Sequence, residues 1–462
     1  MHVDATSATL VAPARHHGVV AADAQLASPP CEVKPRRQVV DAKPPHERTE
    51  LLLDGEEYLG AWFEAVGDAT SIARNLGGVS LMLAAYRLST NVGAQGRGST
   101  TSIVDSLAHL EASGGMTRVT LSRHLGGLPN RSALSTLRRA GVQAEWAMGS
   151  FVQASHEKLT LISTPEGSQL FAGSIDPWTP RWDTTDHIFE VGNRYGAHLA
   201  PSHDVGLKLS IPEPSLDVAR TPIRAVLEAF ESPSVKVILR DNEDPNGLLG
   251  HVEDQLSAAE HNIYIEDQYF LPRISLPSQG RALLEVLRER VAAGVNLTVV
   301  LPGPSGPFAP RQAIESRSAA MVSSLLEGLP PAAGSVRIFG RQSVQTNGSE
   351  AKRRRLYVHS KVIITDSRAA TIGSANFTSR SMLHDTESAV SLTDPSVVAE
   401  LERRLVDDLT GGRHSSVSSL PQLDLTLAEV TGLVDLSRRR AYRFWQLGEV
   451  AFKRLADPNG CR

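Results

Sequence analysis

The chain has 462 residues, 41% of them hydrophobic and 21% charged, and a formal net charge of −4 at pH 7. This balance excludes a disordered or collagen-like chain, and its two cysteines, Cys31 and Cys461, cannot staple a disulfide scaffold. No run approaches the ~18 consecutive apolar residues of a membrane span, and the mildly acidic charge gives no general pull toward nucleic acid or anionic lipid.

Residues 1–48 are rich in Ala, Pro and Val without sustained periodicity and are read as a disordered leader. They contain no basic segment followed by an apolar core. The chain is therefore expected in the cytoplasm or at the membrane periphery, with export by a route that needs no signal peptide as the alternative. From Glu50, LLLDGEEYLGAWFEAV predicts a short strand and then an amphipathic helix. Val79–Tyr86 (VSLMLAAY) predicts a buried strand, Ser102–Ser113 a helix and Thr117–Leu121 a strand. Further on, Ile263–Ile265, Leu297–Leu301 and Val336–Phe339 read as strands, with helical spacing over Arg281–Ala293 and Ala313–Leu326 between them. Leu425–Leu455 has helical periodicity and is expected to fold over the core as two helices. Strands alternating with helices favour an α/β fold with a central sheet.

A long-period internal repeat carries most of the information. His156-Glu157-Lys158 enters LTLIS, and His359-Ser360-Lys361 enters VIITD. Downstream, Gly173-Ser174-Ile175-Asp176 matches Gly373-Ser374-Ala375-Asn376. Then His203-Asp204-VGLKL matches Thr386-Glu387-SAVSL, and both copies run into Pro-Ser and a helical segment. Lysine is scarce: only Lys34, Lys43, Lys158, Lys208, Lys236, Lys352, Lys361 and Lys453 occur. With 15 histidines, about 0.26 His-x-Lys matches are expected by chance. Two occur in matching contexts, so the chain reads as a duplication with pseudo-twofold symmetry, divided near residue 235.

On a strand, His-x-Lys places both side chains on one face. Lysine offers a compact charge for a phosphate oxygen, and histidine can attack or transfer a proton near neutrality. Two copies facing each other set two histidines on opposite sides of one anion, as in-line displacement at phosphorus requires. The lysines and the Ser or Asn groups then hold the equatorial oxygens. An acid on the far nitrogen of each ring fixes its tautomer. This chemistry needs no metal and no other cofactor.

The second copy, H359-S-K361-VIIT-D366-SRAATI-G373-S374-A-N376, matches the His-x-Lys-x4-Asp-x6-Gly-Ser-x-Asn signature of the phospholipase D superfamily at every position. The first copy resembles the N-terminal motif of that family. Ile263–Phe270 (IYIEDQYF) resembles the box between the two motifs of its lipid-acting members, with Asp267 in place of Asn. The resemblance covers about residues 50–410. It implies two pseudo-symmetric α/β/α halves, each with a central mixed β-sheet, and an active site at their interface. The halves span 49–235 and 236–412, followed by a helical extension over 413–462. It also implies a phosphohistidine mechanism, with His156 as nucleophile and His359 as general acid, or the reverse. Lys158, Lys361, Asn376, Ser174 and Ser374 are expected to hold the phosphate, with Asp176, Asp366 and Gln268 also placed at the substrate. Asp204 and Glu387 occupy the places of the acids that orient the histidines. Ser163 stands where the first motif usually has Asp, and Asp176 where an Asn is common. An acid there repels phosphate unless it is protonated or turned away.

Other features have plainer readings. Trp178 and Trp182 either rim the pocket or pack. Arg353-Arg354-Arg355 is a surface patch that could meet anionic head groups. The remaining histidines, among them His16, His17, His187, His198, His203, His251, His261 and His384, show no metal-ligand spacing. The expected substrate is a glycerophospholipid met at a membrane surface by a monomer, cleaved to phosphatidic acid and a head-group alcohol. The alternatives are a cardiolipin synthase-type transferase, a superfamily nuclease and an inert lipid-binding descendant. Nucleic acid is not an expected partner, because backbone binding relies on clustered Lys and Arg.

Overall fold

The computed structural model describes residues 48–147, 153–188, 201–212, 217–218, 220–276, 280–303, 312–347, 350–410, 420 and 433–435. The first part contains β1 (Arg48–Leu53), α1 (Asp54–Asn75), β2 (Ser80–Ala85), α2 (Ile103–Ala112), β3 (Met116–Leu121), α3 (Arg131–Arg139) and β4 (Gln143–Trp146). It continues through β5 (Leu159–Thr164), β6 (Gly167–Gly173), β7 (Ser202–His203), β8 (Val205–Ile211) and α4 (Ile223–Glu228). The second contains β9 (Val235–Arg240), α5 (Gly247–Ser257), β10 (Asn262–Glu266), α6 (Leu283–Ala292), β11 (Asn296–Pro302), α7 (Gln312–Leu326) and β12 (Val336–Asn347). Then come β13 (Glu350–Arg355), β14 (Tyr357–Val358), β15 (Val362–Thr365), β16 (Ala369–Gly373), α8 (Ser379–Leu383), β17 (Glu387–Leu392), α9 (Pro395–Thr410) and β18 (Leu433–Asp435).

Local chemistry sets these elements. In α1, Asp54, Glu56 and Glu57 occupy the first turn, where the helix dipole favours negative charge. Its buried stripe, Tyr58, Leu59, Trp62, Ala65, Val66 and Ala69, follows the helical period, and Trp62 Nε1 donates to Thr160 Oγ1 of β5 at 3.0 Å. A reciprocal capping box starts α2: Ser102 Oγ accepts from the Asp105 amide, and Asp105 Oδ2 accepts from the Ser102 amide at 3.0 Å.

The two sheets repeat one topology. The first has seven strands in the order β1-β8-β6-β5-β2-β3-β4, and the second runs β9-β17-β16-β15-β10-β11-β12-β13 with β18 also on β12. Both are mixed. Only β2–β3, β3–β4, β10–β11 and β11–β12 are parallel within them, at the same places in each order. The fold is therefore α/β with two halves of equivalent strand order.

Strand alternation decides the layers. In β2, Leu81, Leu83 and Ala85 pack with α1, α2 and α3, whereas Met82 and Ala84 face the opposite way. In β10, Ile263 and Ile265 pack with α5 and α6, whereas Tyr264 faces inward. The inward faces of both sheets share one apolar core with α4 and α9, including Leu161, Leu170, Leu207, Ile364, Ile372, Val390, Val398 and Leu405. The halves are fused through this core.

Residues 1–47 and, apart from Leu420 and 433–435, residues 411–462 lie outside the described residues. The helical expectation for the C-terminal segment is overturned at Leu433–Asp435, which pairs antiparallel with Phe339–Arg341. The edge of β12 there offers unpaired backbone groups, and a ladder satisfies them where a helix does not. Among the described residues, no helix is long and apolar enough to cross a membrane.

Candidate active site

Both His-x-Lys motifs stand just ahead of a strand rather than within it. Lys158 precedes β5 and Lys361 precedes β15. The expected strand placement is corrected for a physical reason: each lysine folds its ammonium back onto the carbonyl of its own histidine. Lys158 Nζ donates to His156 O at 2.8 Å, and Lys361 Nζ donates to His359 O.

The seam is built by reciprocal exchange. β14 pairs with β7 in parallel, matching Val358 to His203, and Ser155 forms a parallel bridge with Thr386. The His359 amide donates to His203 O at 2.7 Å, and the His156 amide donates to Thr386 O at 2.8 Å. Each bridge sets a histidine beside the acid of the other half. His359 Nδ1 lies 2.7 Å from Asp204 Oδ1, and His156 Nδ1 lies 2.9 Å from Glu387 Oε2. Sequence reading placed both acids at the histidines, and the structure shows that the pairing crosses between halves.

The serines of both Gly-Ser pairs serve these acids. Ser174 Oγ donates to Asp204 Oδ1 at 2.7 Å and accepts from the Val205 amide at 3.0 Å. Ser374 Oγ donates to Glu387 Oε2 and accepts from the Ser388 amide at 2.9 Å. Both serines are fully buried. The expectation that they hold phosphate is thus corrected, because their hydroxyls are committed to the carboxylates. The glycines before them allow this close approach. A Cβ on Gly173 would sit 2.5 Å from Val205 O, and one on Gly373 2.6 Å from Ser388 O.

The other expected residues divide in two. Asn376 is 8% exposed beside the motif, and its Oδ1 has no hydrogen-bond partner among the described residues. Asp176 is turned away from open space: its Oδ1 accepts from the Arg87 amide at 2.9 Å and its Oδ2 lies 3.6 Å from Lys158 Nζ. Its charge is balanced there, which answers the repulsion raised by the missing Asn. Gln268 donates its amide to the hydroxyls of Tyr269 and Tyr357. It reaches the site through Tyr357, whose ring stacks on His359 at 6.0 Å. Asp366 is elsewhere. It follows β15 and accepts from the amides of Glu260, His261 and Asn262 at 2.7–2.8 Å. Its placement at the substrate is corrected: it ties a turn to the start of β10. Ser163, its counterpart, lies within β5 and bonds Ser168 Oγ of β6 at 2.9 Å.

Tyr86 and Arg181 escaped sequence reading, whereas Asp267 stands out in the IYIEDQYF box. Tyr86 sets its ring edge-on to His156 at 4.7 Å, with Lys158 Nζ 5.4 Å from the ring centre. Arg181 donates to Ser202 Oγ at 3.0 Å and stacks on Tyr357 at 5.0 Å. Its side chain is buried near His359, and only its position between two tryptophans hinted at this. Asp267 accepts from the amides of Tyr269 at 2.8 Å and Phe377 at 3.0 Å. Trp182 packs, with Nε1 donating to Ala94 O at 3.0 Å, whereas Trp178 lies under Arg181 at 5.5 Å.

Burial governs the titration of the site. It pushes both imidazoles well below their usual pKa, aided at His156 by Lys158 and Lys361 and at His359 by Arg181, Lys361 and Lys158. Burial lowers Lys361 to about 7, against the pull of Asp267 and Asp204. It raises Asp204 to about 6, Asp267 to about 8, and Glu387 upward as well. Two neutral imidazoles, each anchored through Nδ1, leave Nε2 as the basic nitrogen.

Comparison with known proteins bears on the motifs directly. A family model described as "Cardiolipin synthase, PLD-like domain" matches residues 252–409. A cardiolipin synthase of Staphylococcus aureus is 25% identical over 155 residues, covering 33% of this chain and 25% of that protein. Phospholipase D1 of Rattus norvegicus is 29% identical over 194 residues, covering 35% of this chain and 18% of that protein. Residues 252–409 form a phospholipase D-like domain. Phospholipase D zeta 1 of Arabidopsis thaliana is 31% identical over 180 residues, covering 31% of this chain and 16% of that protein. The match thus spans a quarter or less of the length of these superfamily relatives. Among solved structures, phosphatidylserine synthase of Haemophilus influenzae aligns over 82% of this chain and 91% of its own, with 12% identity and a TM-score of 0.46. The region matched by the family model contains the second His-x-Lys motif, and the equivalent strand order of the first half carries the other.

Proposed function

We propose that this chain is a phospholipase D-type phosphodiesterase that cleaves glycerophospholipids to phosphatidic acid and a head-group alcohol, or passes the phosphatidyl group to another alcohol. One observation carries the reading: both His-x-Lys histidines hold Nδ1 against a buried carboxylate of the opposite half, with lysines beside them. Such a pair suits displacement at phosphorus in two steps.

In the first step, His156 Nε2 attacks phosphorus, the P–O bond to the head group breaks, and His359 gives the leaving oxygen its proton. In the second, His359 takes a proton from water or an alcohol, whose oxygen attacks phosphorus and releases His156. Lys158, Lys361 and Asn376 hold the non-bridging oxygens. Glu387 and Asp204 steady whichever ring is charged, as the third member of a triad does. An arriving phosphodiester anion offsets the cations that hold the imidazoles neutral and so favours the proton on His359. The substrate lies in a lipid surface, so the reading includes transient contact with a membrane by a monomeric chain, in the cytoplasm or after export.

A second reading has the same chemistry with a lipid alcohol as acceptor, and the cardiolipin synthase description of the matching family model favours it. Incubation with phosphatidylcholine or phosphatidylethanolamine plus a primary alcohol separates the two. Phosphatidyl alcohol and phosphatidic acid, both lost in His359→Ala, are the expected products. Cardiolipin formed from phosphatidylglycerol, with no phosphatidic acid from any substrate, establishes the second reading instead. Cleavage of DNA alone overturns both.

A further inference from the structure

Behind the site, four segments bring Asp54, His187, His203 and Asp408 together, with their candidate ligand atoms all within 4.8 Å of one another. Asp54 opens α1, His187 lies in the loop after β6, His203 ends β7 and Asp408 is near the end of α9. All but Asp408 are buried by residue, and the Asp408 side chain is only 3% exposed. We propose that this cluster is a structural binding site for one divalent transition-metal ion, zinc by its donor set, held by two imidazoles and two carboxylates.

The spacing fits a metal. His187 Nε2 lies 3.1 Å from Asp408 Oδ1 and 3.6 Å from Asp54 Oδ2, and His203 Nδ1 lies 3.1 Å and 3.3 Å from the other oxygens of the same two carboxylates, so an ion between the rings would take one oxygen from each. Ligands at 2.0–2.1 Å around tetrahedral zinc are separated by about 3.3 Å. One outer nitrogen is arranged as metal-bound histidines arrange it. His187 Nδ1 pairs with Asp183 Oδ2 at 3.2 Å, while His203 Nε2 lies 3.2 Å from Glu266 Oε1 without hydrogen-bond alignment.

One observation beyond the spacing points to an occupant. Asp54 is fully buried and aimed into the cluster, yet its Oδ2 has no hydrogen-bond partner among the described residues. A bare carboxylate oxygen without a ligand is costly there. Four carboxylates, those of Asp54, Asp183, Glu266 and Asp408, face one guanidinium there, Arg341, whose Nη1 is 2.6 Å from Asp408 Oδ2. That excess is offset either by a divalent ion or by two protonated imidazoles. The cluster is not part of the duplication. Register places Arg240 opposite Glu387, as the Asp54 amide donates to Asp204 O at 2.8 Å, and Thr386 stands where His203 does. The ion would tie α9 of the second half to β7 of the first, one residue before Asp204.

The test uses full-length protein purified without a chelating column. Elemental analysis is expected to find about one equivalent of zinc per chain. Removal of the metal lowers Tm, and zinc alone restores it. Cobalt(II) loaded instead gives the visible spectrum of a tetrahedral N2O2 site, which is absent in His187→Gln and in Asp408→Asn. Two protonated imidazoles would balance the same charges. In that case less than about 0.1 equivalent of metal is found and Zn(II), Co(II), Mn(II) and Fe(II) leave Tm unchanged, which overturns the proposal. Metal that both variants still bind lies elsewhere and overturns it equally. If either variant fails to fold, the cobalt spectrum of the native chain and the metal dependence of its Tm decide.

Discussion

Asp204 and His359 meet at 2.7 Å although they lie in opposite halves of the chain, and Glu387 meets His156 by the same exchange. Each half therefore supplies the histidine of one histidine–carboxylate pair and the acid of the other. The exchange lets the two pairs be separated by experiment. With a phosphodiester whose nitrophenol leaving group needs no protonation, Asp204→Asn and His359→Ala keep a burst of about one equivalent, while steady turnover falls about 10²–10⁴-fold. Glu387→Gln and His156→Ala lose the burst. Rapid-quench kinetics reads this directly, and the opposite pattern makes His359 the nucleophile.

Ser174 and Ser374 act on the acids, not on the phosphate, so Ser174→Ala and Ser374→Ala should lower kcat and leave KM unchanged. Each removes one hydrogen bond to a buried carboxylate, worth about 1.5–3 kcal/mol, or roughly ten- to a hundredfold if wholly expressed in the transition state. A rise in KM at constant kcat would instead restore the serines to the phosphate.

Asp366 belongs to stability. Its carboxylate is held below its usual pKa by three backbone amides, those of Glu260, Asn262 and His261, against a burial effect of opposite sign. Asp366→Ser, which copies Ser163 of the first half, should cost about 1–3 kcal/mol in urea denaturation and leave kcat/KM as it was. The lowered pKa adds a pH signature. The contribution is present above the carboxyl's unfolded pKa and is lost as pH falls through its folded value. The variant and the native chain should therefore converge in stability in acid.

The part of the site legible in the sequence was the part encoded at short range. His-x-Lys, Gly-Ser and the acid ahead of an alternating strand each sit within a few residues, and their repetition revealed two halves. The strands β2, β3, β10 and β11 were legible because buried alternation is local. The exchange at the seam was not, since it depends on bridges from Ser155 to Thr386 and from Val358 to His203. Nor could the motif distinguish a serine that binds phosphate from one that holds a carboxylate. Asp54, His187, His203 and Asp408 are spread over 355 positions (408 minus 54, inclusive) and share no spacing rule, so only the fold assembles them. At 433–435, helical periodicity lost to an open strand edge that sequence reading could not see.

Lys361 provides the pH prediction. Burial lowers its pKa to about 7, and Asp267, the acid replacing Asn in the IYIEDQYF box, opposes that shift. The charged lysine exists below that pKa, so kcat/KM for an anionic phosphodiester should fall as pH rises through it. Burial raises Asp267 as well, and its ionised form is the partner that helps Lys361 keep its proton. Asp267→Asn removes that help while keeping one acceptor oxygen for the two amides, those of Tyr269 and Phe377, that now bond separate carboxylate oxygens. The alkaline limb of kcat/KM should move to lower pH, with activity on the acid side retained. Profiles measured from about pH 5 to 9 at constant ionic strength report the free-enzyme groups. A limb that does not move in Asp267→Asn shows that Lys361 does not set it.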